Sequence, residues 1–285
     1  MSDVETDVVR MLGSDDAGMK RTIAVRAYVG ATAQIVQARE LLSARILIDS
    51  PTIIVVLRGR KRLRWGGQER VVESGCAIAV AEQQTFDVVN TPCTSTGVYE
   101  AQWLACDGTV TAQYSEGPVK GQRIGDVHVL KSGGTSFLQA FAHAREGILY
   151  PAEVPTEVAK VRMTEMLTWL DHDGAYFGHS QRPSLVRQVR RRIADDLSAI
   201  WTAPRMADLL GVSEATLRRR LSDEGTSFHA LLVDVRMSRA LTLLQVTDLP
   251  VTQIALEIGY SSPSRFTARF RQRFGYGPSD VRRPV

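Results

Sequence analysis

The feature that most constrains this chain is a pattern of small, glycine, serine and apolar residues that occurs twice in its last third. The first copy covers residues 206–221, MADLLGVSEATLRRRL, and the second covers residues 254–270, IALEIGYSSPSRFTARF. Each copy has an alanine, a glycine four positions later, a serine just beyond it, and then two large apolar residues four positions apart. The second copy is longer by one residue in its turn. Such a duplication predicts two copies of one small structural unit.

These positions are the ones that a helix-turn-helix requires. Two helices that cross steeply need a small residue at their contact and a turn residue that can adopt a positive φ, usually glycine. A serine after the turn can cap the second helix, and apolar residues at i and i+4 place one face of that helix in the core. A single copy is also typical of a purely structural hairpin, whereas two copies with matching cores favour DNA recognition. The residues in the crossing, turn and cap roles are Ala207, Gly211 and Ser213 in the first copy, and Ala255, Gly259 and either Ser261 or Ser262 in the second.

The opposite face of each second helix is left for a partner. Arginine there can donate two hydrogen bonds to guanine or bind phosphate, whereas serine and alanine allow close approach to a thymine methyl group. Between the copies, residues 228–244 have apolar side chains on one helix face and predict a helix that sets the separation of the two units. The outward residues are Ala215, Arg218, Arg219 and Ser222 in the first copy, and Ser264, Arg265, Ala268 and Arg271 in the second.

Residues 182–285 resemble the AraC/XylS family of bacterial transcription regulators, and a combination of positions in and around the first copy, between Ile193 and Phe228, resembles its virulence, secretion and acid-stress branch. The resemblance implies a seven-helix DNA-binding domain whose two recognition helices enter successive major grooves. Alanine and proline occupy several of the base-reading positions, and their side chains can make few directed hydrogen bonds. Base contacts by the second recognition helix are therefore expected to depend more on Arg265. The matching segments are Thr247–Val251, Gly259–Phe266 and Phe274–Ser279, together with Leu217, Leu221, Gly225, Phe228, Arg236, Ala240 and Arg282. The family's base-reading positions correspond to Ala215, Arg218, Arg219, Pro263, Ser264, Arg265 and Ala268.

Charge follows the same division of the chain. Residues 180–285 hold 17 Arg and no Lys against 10 Asp plus Glu, whereas the rest of the chain is net acidic. An excess of arginine is typical of a DNA-binding domain and equally of a solvated surface or of genome composition. The predicted contacts to DNA phosphates are Arg187, Arg190, Arg191, Ser213, Ser222, Ser262 and Arg271.

Residues 21–130 predict a β domain. Short runs rich in Val and Ile are separated by Gly and Pro turns, which favours a small sandwich or barrel. The order of hairpins, helices and DNA reader resembles the cupin-type effector domain of the same family. The predicted fold is therefore α+β, with a cupin-like β-barrel and helices in the N-terminal part and an all-α domain with two helix-turn-helix motifs in the C-terminal part. The predicted strands are 52–57, 61–65, 70–72, 77–81, 86–90 and 98–104.

Catalytic and metal-binding patterns are missing from the sequence. Residues 21–127 contain no histidine, and the next four histidines along the chain are scattered. We found no phosphate-binding glycine loop and no nucleophile motif, so we expect neither an enzyme nor a cofactor. The three cysteines have no paired spacing, and we expect them to pack as small apolar residues, with redox sensing as the alternative. The scattered histidines are His128, His143, His172 and His179, and the cysteines are Cys76, Cys93 and Cys106.

The remaining segments complete the predicted organisation. Residues 1–20 are acidic and resemble neither a signal peptide nor a folded element, and no apolar run is long enough to span a bilayer, so we expect a disordered N-terminus and a cytoplasmic protein. Residues 131–181 are predicted to hold two amphipathic helices, 136–149 and 157–170, which either mediate dimerisation or cover the barrel, and the linker that follows them runs from about Asp171 to Pro183. The expected partners are double-stranded DNA, RNA polymerase, a small apolar effector such as a fatty acid, and a second copy of the chain. The alternative function is a metal-free cupin-type ligand carrier or enzyme with a helical assembly domain.

Overall fold

The structure is a computed structural model that describes residues 23–130, 134–178 and 184–282. The predictions for the acidic N-terminus, for His179 and for the end of the linker at Pro183 lie outside these residues. No helix within the described ranges is long and apolar enough to cross a membrane.

The N-terminal part contains two principal β-sheets. A six-stranded sheet has the order β1-β2-β9-β4-β7-β11, a four-stranded sheet has the order β3-β8-β5-β6, and β10 pairs with β12. The strands are β1 Ala24–Arg26, β2 Gly30–Gln37, β3 Leu41–Ile48, β4 Thr52–Arg58, β5 Arg60–Trp65, β6 Gln68–Glu73, β7 Ala77–Val80, β8 Gln84–Thr91, β9 Tyr99–Cys106, β10 Gln122–Arg123, β11 Val127–Leu130 and β12 Ala175–Tyr176.

Apolar side chains from both principal sheets meet in one core. Val56 of β4 packs there with Leu63 of β5 and Phe86 of β8, and all three are at most 1% exposed. The cupin-like arrangement is thus confirmed, but as two facing sheets: in the described ranges no strand pairs through its backbone with strands of both sheets, so the barrel is not closed. Each of the six predicted strands overlaps an observed strand and extends beyond it by at most one residue.

In the part of the chain that the structure describes, three helices accompany the sheets, namely α1 Gly108–Ser115, α2 Thr135–Leu149 and α3 Thr156–His172. The two amphipathic helices predicted here are confirmed to within two residues. Phe141 of α2 and Met163 of α3 are buried in a core that they share with Leu104 of the six-stranded sheet, so both helices cover that sheet. Cys106 is buried in this core as expected for a packing residue, whereas Cys76 is exposed, and the packing prediction is wrong for it.

The C-terminal part is all-α and has two apolar cores. The long helix α7 contributes Val235 to the first core, around Leu217 and Leu221, and Leu244 to the second, around Phe266 and Phe270. One rigid element therefore joins the two duplicated units, as the sequence predicts. The helices are α4 Leu185–Asp195, α5 Ala203–Leu209, α6 Glu214–Asp223, α7 Phe228–Val246, α8 Val251–Glu257 and α9 Pro263–Phe274, followed by a 3₁₀ turn at Pro278–Val281.

Candidate nucleic-acid interface

The turn geometry of the two duplicated units is the same. The backbone N–H of Val212 donates to the carbonyl of Ala207 at 3.0 Å, and the N–H of Tyr260 donates to that of Ala255 at 2.8 Å. The two turn glycines have positive φ angles of 65° and 83°. In each unit this bond ties the residue after the glycine to a carbonyl group in the last turn of the first helix. Both predicted helix-turn-helix motifs are confirmed.

Each second helix begins at a capping serine. The hydroxyl of Ser213 accepts a hydrogen bond from the backbone N–H of Thr216 at 3.2 Å, and that of Ser262 accepts one from Arg265 at 3.4 Å. In the second unit the cap is therefore Ser262 and not Ser261. Pro263 then occupies the first helical position, where its fixed φ favours the helix and its missing N–H costs nothing.

The predicted base-reading residues are all exposed in the structure. On α6, the guanidinium of Arg218 donates to the carboxylate of Glu214 at 2.9 Å, an exposed pair that costs little to break. On α9, exposed Arg265 is the long polar side chain among the reading candidates. The exposed set comprises Ala215, Arg218 and Arg219 on α6, and Pro263, Ser264, Arg265 and Ala268 on α9.

The predicted phosphate contacts are less uniform. Arg191, Ser222 and Arg271 are exposed, whereas Arg187 is half-buried. Arg190 is turned towards the four-stranded sheet, where it donates to the carbonyl of Gln83 at 3.2 Å. Burial lowers the pKa of the Arg190 guanidinium. In this arrangement Arg190 joins the two parts of the chain and does not face solvent.

Two arginines that orient the helix-turn-helix units have no signature in residue type or spacing. Arg236 on α7 donates to the carbonyls of Leu197 and Ala199, at 3.1 and 2.9 Å, in the segment before α5. Arg282 donates to the carbonyl of Leu244 in the last turn of α7 and to those of Thr247 and Leu249 just after it, the last at 2.6 Å. Both arginines were noted only as positions of family resemblance. Since helical periodicity cannot distinguish an arginine that binds a distant carbonyl from one that faces water, no local pattern revealed this role.

A buried carboxylate links α7, α9 and the sheet. Asp234 pairs with Arg45 of β3 at 2.5 Å and with Arg273 of α9 at 3.2 Å. Arg45 lies at a β-bulge in β3 and has a φ of 52°, in the left-handed region. Such a backbone conformation is costly for a side-chain-bearing residue and often marks a functional position. Here it points the guanidinium at the helical part of the chain.

Duplicated helix-turn-helix units with exposed reading faces define a DNA-binding domain. Residues 206–284 match the family described as "Helix-turn-helix domain". Two Escherichia coli proteins are similar over 91 residues: the HTH-type transcriptional activator CfaD, at 42% identity, and the DNA-binding dual transcriptional regulator Rns, at 41%. In each case the match covers 32% of this chain and 34% of the relative, so this chain spans about a third of the length of those relatives.

Solved structures resemble nearly the whole chain in fold. A crystal structure of apo ToxT from Vibrio cholerae gives a TM-score of 0.65 at 12% identity and covers 90% of this chain and 97% of that one. A second, of ToxT with an unsaturated fatty acid bound, gives a TM-score of 0.63 at 12% identity and covers 92% and 95%. The sequence matches confirm the resemblance of the C-terminal part to the AraC/XylS family, with residues 206–284 matching a helix-turn-helix domain, and the solved structures show a similar fold over nearly the whole chain.

Proposed function

We propose that this protein is a sequence-specific DNA-binding transcription regulator that acts as an activator and contacts double-stranded DNA and RNA polymerase. The observation that carries the proposal is the repetition of one turn geometry, with two exposed reading helices held by a single rigid α7. The seven base-reading candidates and the exposed phosphate candidates are the proposed contacts. A ligand carrier or enzyme with a helical assembly domain would need neither reading helix, which favours regulation over that alternative.

Genome-wide mapping of the DNA bound by the whole chain tests this proposal. We expect a recurring motif with two half-sites about 10 base pairs apart in direct repeat, because each reader occupies one major groove on the same DNA face. Footprinting with purified protein should show both grooves protected. Protection of one groove per molecule would refute simultaneous reading, and uniform binding without a motif would refute sequence specificity.

The proposed effector site is a cavity of about 400 Å³ between the sheets and α7. Its walls are mostly apolar, with contributions from Ile54, Trp103 and Leu241, and the amine of Lys61, the guanidinium of Arg239 and the carboxyl group of Asp49 also line it. Such a cavity suits a small apolar molecule with one acidic group. The fold-level likeness to a protein solved with an unsaturated fatty acid supports this class of effector.

Strand β3 connects this cavity to the second reading helix. Residues of β3 line the cavity, while Arg45 on the same strand holds Asp234 of α7, which in turn holds Arg273 of α9. The backbone N–H of Leu47 also donates to the hydroxyl of Ser238 on α7 at 3.0 Å. An effector that prefers one position of β3 would bias the position of α9, by no more than its differential affinity, about 1 to 3 kcal/mol.

Titration of the whole chain with an unsaturated fatty acid tests the effector site. We expect a change in operator affinity of about 5- to 150-fold, within the usual range of coupling energies, and a smaller change in the variant Arg239→Gln. Equal operator affinity with and without the fatty acid would refute this part of the proposal. The β domain would then act through dimerisation, for which α3 offers the exposed apolar residues Val158 and Val161.

A further inference from the structure

A groove of about 640 Å³ separates the first half of α7 from the outward side of α9. His229 and Arg236 line it from α7, and Arg265, Arg269 and Gln272 line it from α9. None of the residues that line it is acidic. The groove is therefore a concentration of positive charge with no carboxylate in its walls.

Arg269 is held in this groove without being neutralised. Its guanidinium donates to the amide oxygen of Gln272 at 3.0 Å and lies near the hydroxyl of Tyr260, where burial raises the pKa and Arg269 partly offsets that rise. Both partners are uncharged, in contrast to Arg218, which already has a carboxylate partner. Within the described part of the chain the structure gives Arg269 no ion pair. An oriented, unneutralised guanidinium beside an open groove is suited to an anion.

The position of the groove identifies the anion. Arg265, Ala268, Arg269 and Gln272 follow the i, i+3, i+4, i+7 spacing of a single helix face. The first two are base-reading candidates, so insertion of α9 into a major groove brings the DNA backbone alongside the same face. Hydrogen bonds to phosphate oxygens make up half or more of the contacts in such interfaces and fix the register of the protein.

We infer that this groove binds a backbone phosphate of the DNA strand next to α9, with Arg269 as the contact and Gln272 and Tyr260 as its positioning residues. The inference rests on the proposed DNA-binding function and adds to it a site that reads no sequence. Arg269 then contributes equally to binding at an operator and at any other duplex, whereas Arg265 contributes to the difference between them.

The salt dependence of binding tests the inference. The affinity of the whole chain is measured from low to physiological salt for an operator fragment recovered by genome-wide mapping and for a scrambled duplex of the same length. Each phosphate contact adds about 0.9 to the slope of log affinity against log salt. We expect Arg269→Gln to lower this slope by about 0.9 for both duplexes and to leave the ratio of the two affinities unchanged. Arg269→Lys, which keeps the charge, should retain most of the slope.

Two further variants make the result independent of folding and of net charge. Gln272→Glu keeps its contact with Arg269 but turns it into an ion pair, so it should lower the slope without disturbing the helix. Arg70→Gln removes one exposed charge from β6 and should leave the slope at its original value.

The possible results separate the inference from the function on which it rests. Slopes for Arg269→Gln and Gln272→Glu that equal that of Arg70→Gln would overturn the inference. The same equality together with lost activation in a reporter strain would also overturn it and would assign the groove to an acidic segment of a protein partner. Failure of the unmodified chain to bind either duplex would instead refute the proposed function.

Discussion

The two turn glycines have the same backbone role but different surroundings, and we predict that they respond differently to alanine. A Cβ atom at Gly211 would meet no atom within 4 Å. At Gly259 it would lie 2.4 Å from the Arg236 guanidinium and 2.6 Å from the carbonyl oxygen of Leu197. The first substitution therefore perturbs only the backbone, whereas the second also separates α7, the segment before α5 and the second turn.

The expected magnitudes follow from these distances. Alanine in the left-handed region costs about 1 to 2 kcal/mol, and the smaller conformational entropy of the unfolded chain offsets part of this, so Gly211→Ala should cost about 1 kcal/mol. Gly259→Ala bears the same cost and also displaces Arg236 from two carbonyl groups. Hydrogen bonds to a charged group contribute about 1.5 to 3 kcal/mol each, less where the group is half exposed. We therefore expect a total cost of about 2.5 to 4 kcal/mol, which is the backbone cost plus the loss of about one such hydrogen bond.

Urea unfolding of the whole chain, followed by far-ultraviolet circular dichroism, measures both costs, and operator titration measures their effect on reading. Gly259→Ala should also weaken DNA binding, because it moves the second helix-turn-helix relative to α7. In an Arg236→Ala background the additional cost of Gly259→Ala should fall, since one of its two close contacts is gone. Equal destabilisation by the two glycine substitutions would refute the reasoning, because it would mean that the close approach to Arg236 does not exist in solution.

Three other predictions concern base contacts by α6, the link between β3 and the effector response, and the pH dependence of stability. Replacing both Arg218 and Arg219 with Ala should weaken operator binding by about 2 to 5 kcal/mol if at least one arginine contacts a base through two hydrogen bonds; unchanged fluorescence anisotropy titrations of the folded variant would rule out α6 as a reader. Arg45→Gly relieves the left-handed backbone and removes the ion pair with Asp234, in which the arginine side chain is 59% exposed. We expect the free energy of unfolding to change by less than about 1 kcal/mol but the effect of the fatty acid on operator affinity to be reduced. An effect equal to that in the unmodified chain would contradict the role of β3. Burial lowers the pKa of Lys61 to about 7, so above that pH the unfolded chain binds more protons than the folded one. The free energy of unfolding should therefore rise from about pH 7 towards the usual lysine pKa. Denaturation of Lys61→Met across this range should show a flatter pH profile, and an identical rise would exclude Lys61 as its source.

Much of the DNA-binding part could be predicted because its determinants are local. The capping bonds of Ser213 and Ser262 span three residues, and the turn bonds that end at Val212 and Tyr260 span five. Residue type and spacing specify such contacts almost completely, so both motifs, the helix between them and the exposed faces follow from the pattern. The same holds for the hairpin strands of the β domain, where Val- and Ile-rich runs alternate with glycine turns.

The regions where prediction failed have non-local determinants. Strand β3 was not identified individually, and its bulge between Ser43 and Ile46 interrupts the regular pairing with β8. Helix α1 was missed because it is short and its sequence, GTVTAQYS, has no apolar face. The two sheets remain separate because strand order and register depend on long-range pairing, which alternation along one strand does not encode.

The amino-acid sequence by itself determined that two helix-turn-helix units exist and which faces they expose. The tertiary structure alone decided that Arg190 binds the sheet, that Arg45 meets Asp234 across 189 positions of chain, and that Arg269 stands unneutralised in a groove beside α7. The physical reason is that helical periodicity distinguishes apolar from polar faces, because burial of apolar area dominates folding. A charged side chain looks the same in sequence whether it faces water, a distant carboxylate or a phosphate, so the packing of whole elements decides which partner it has.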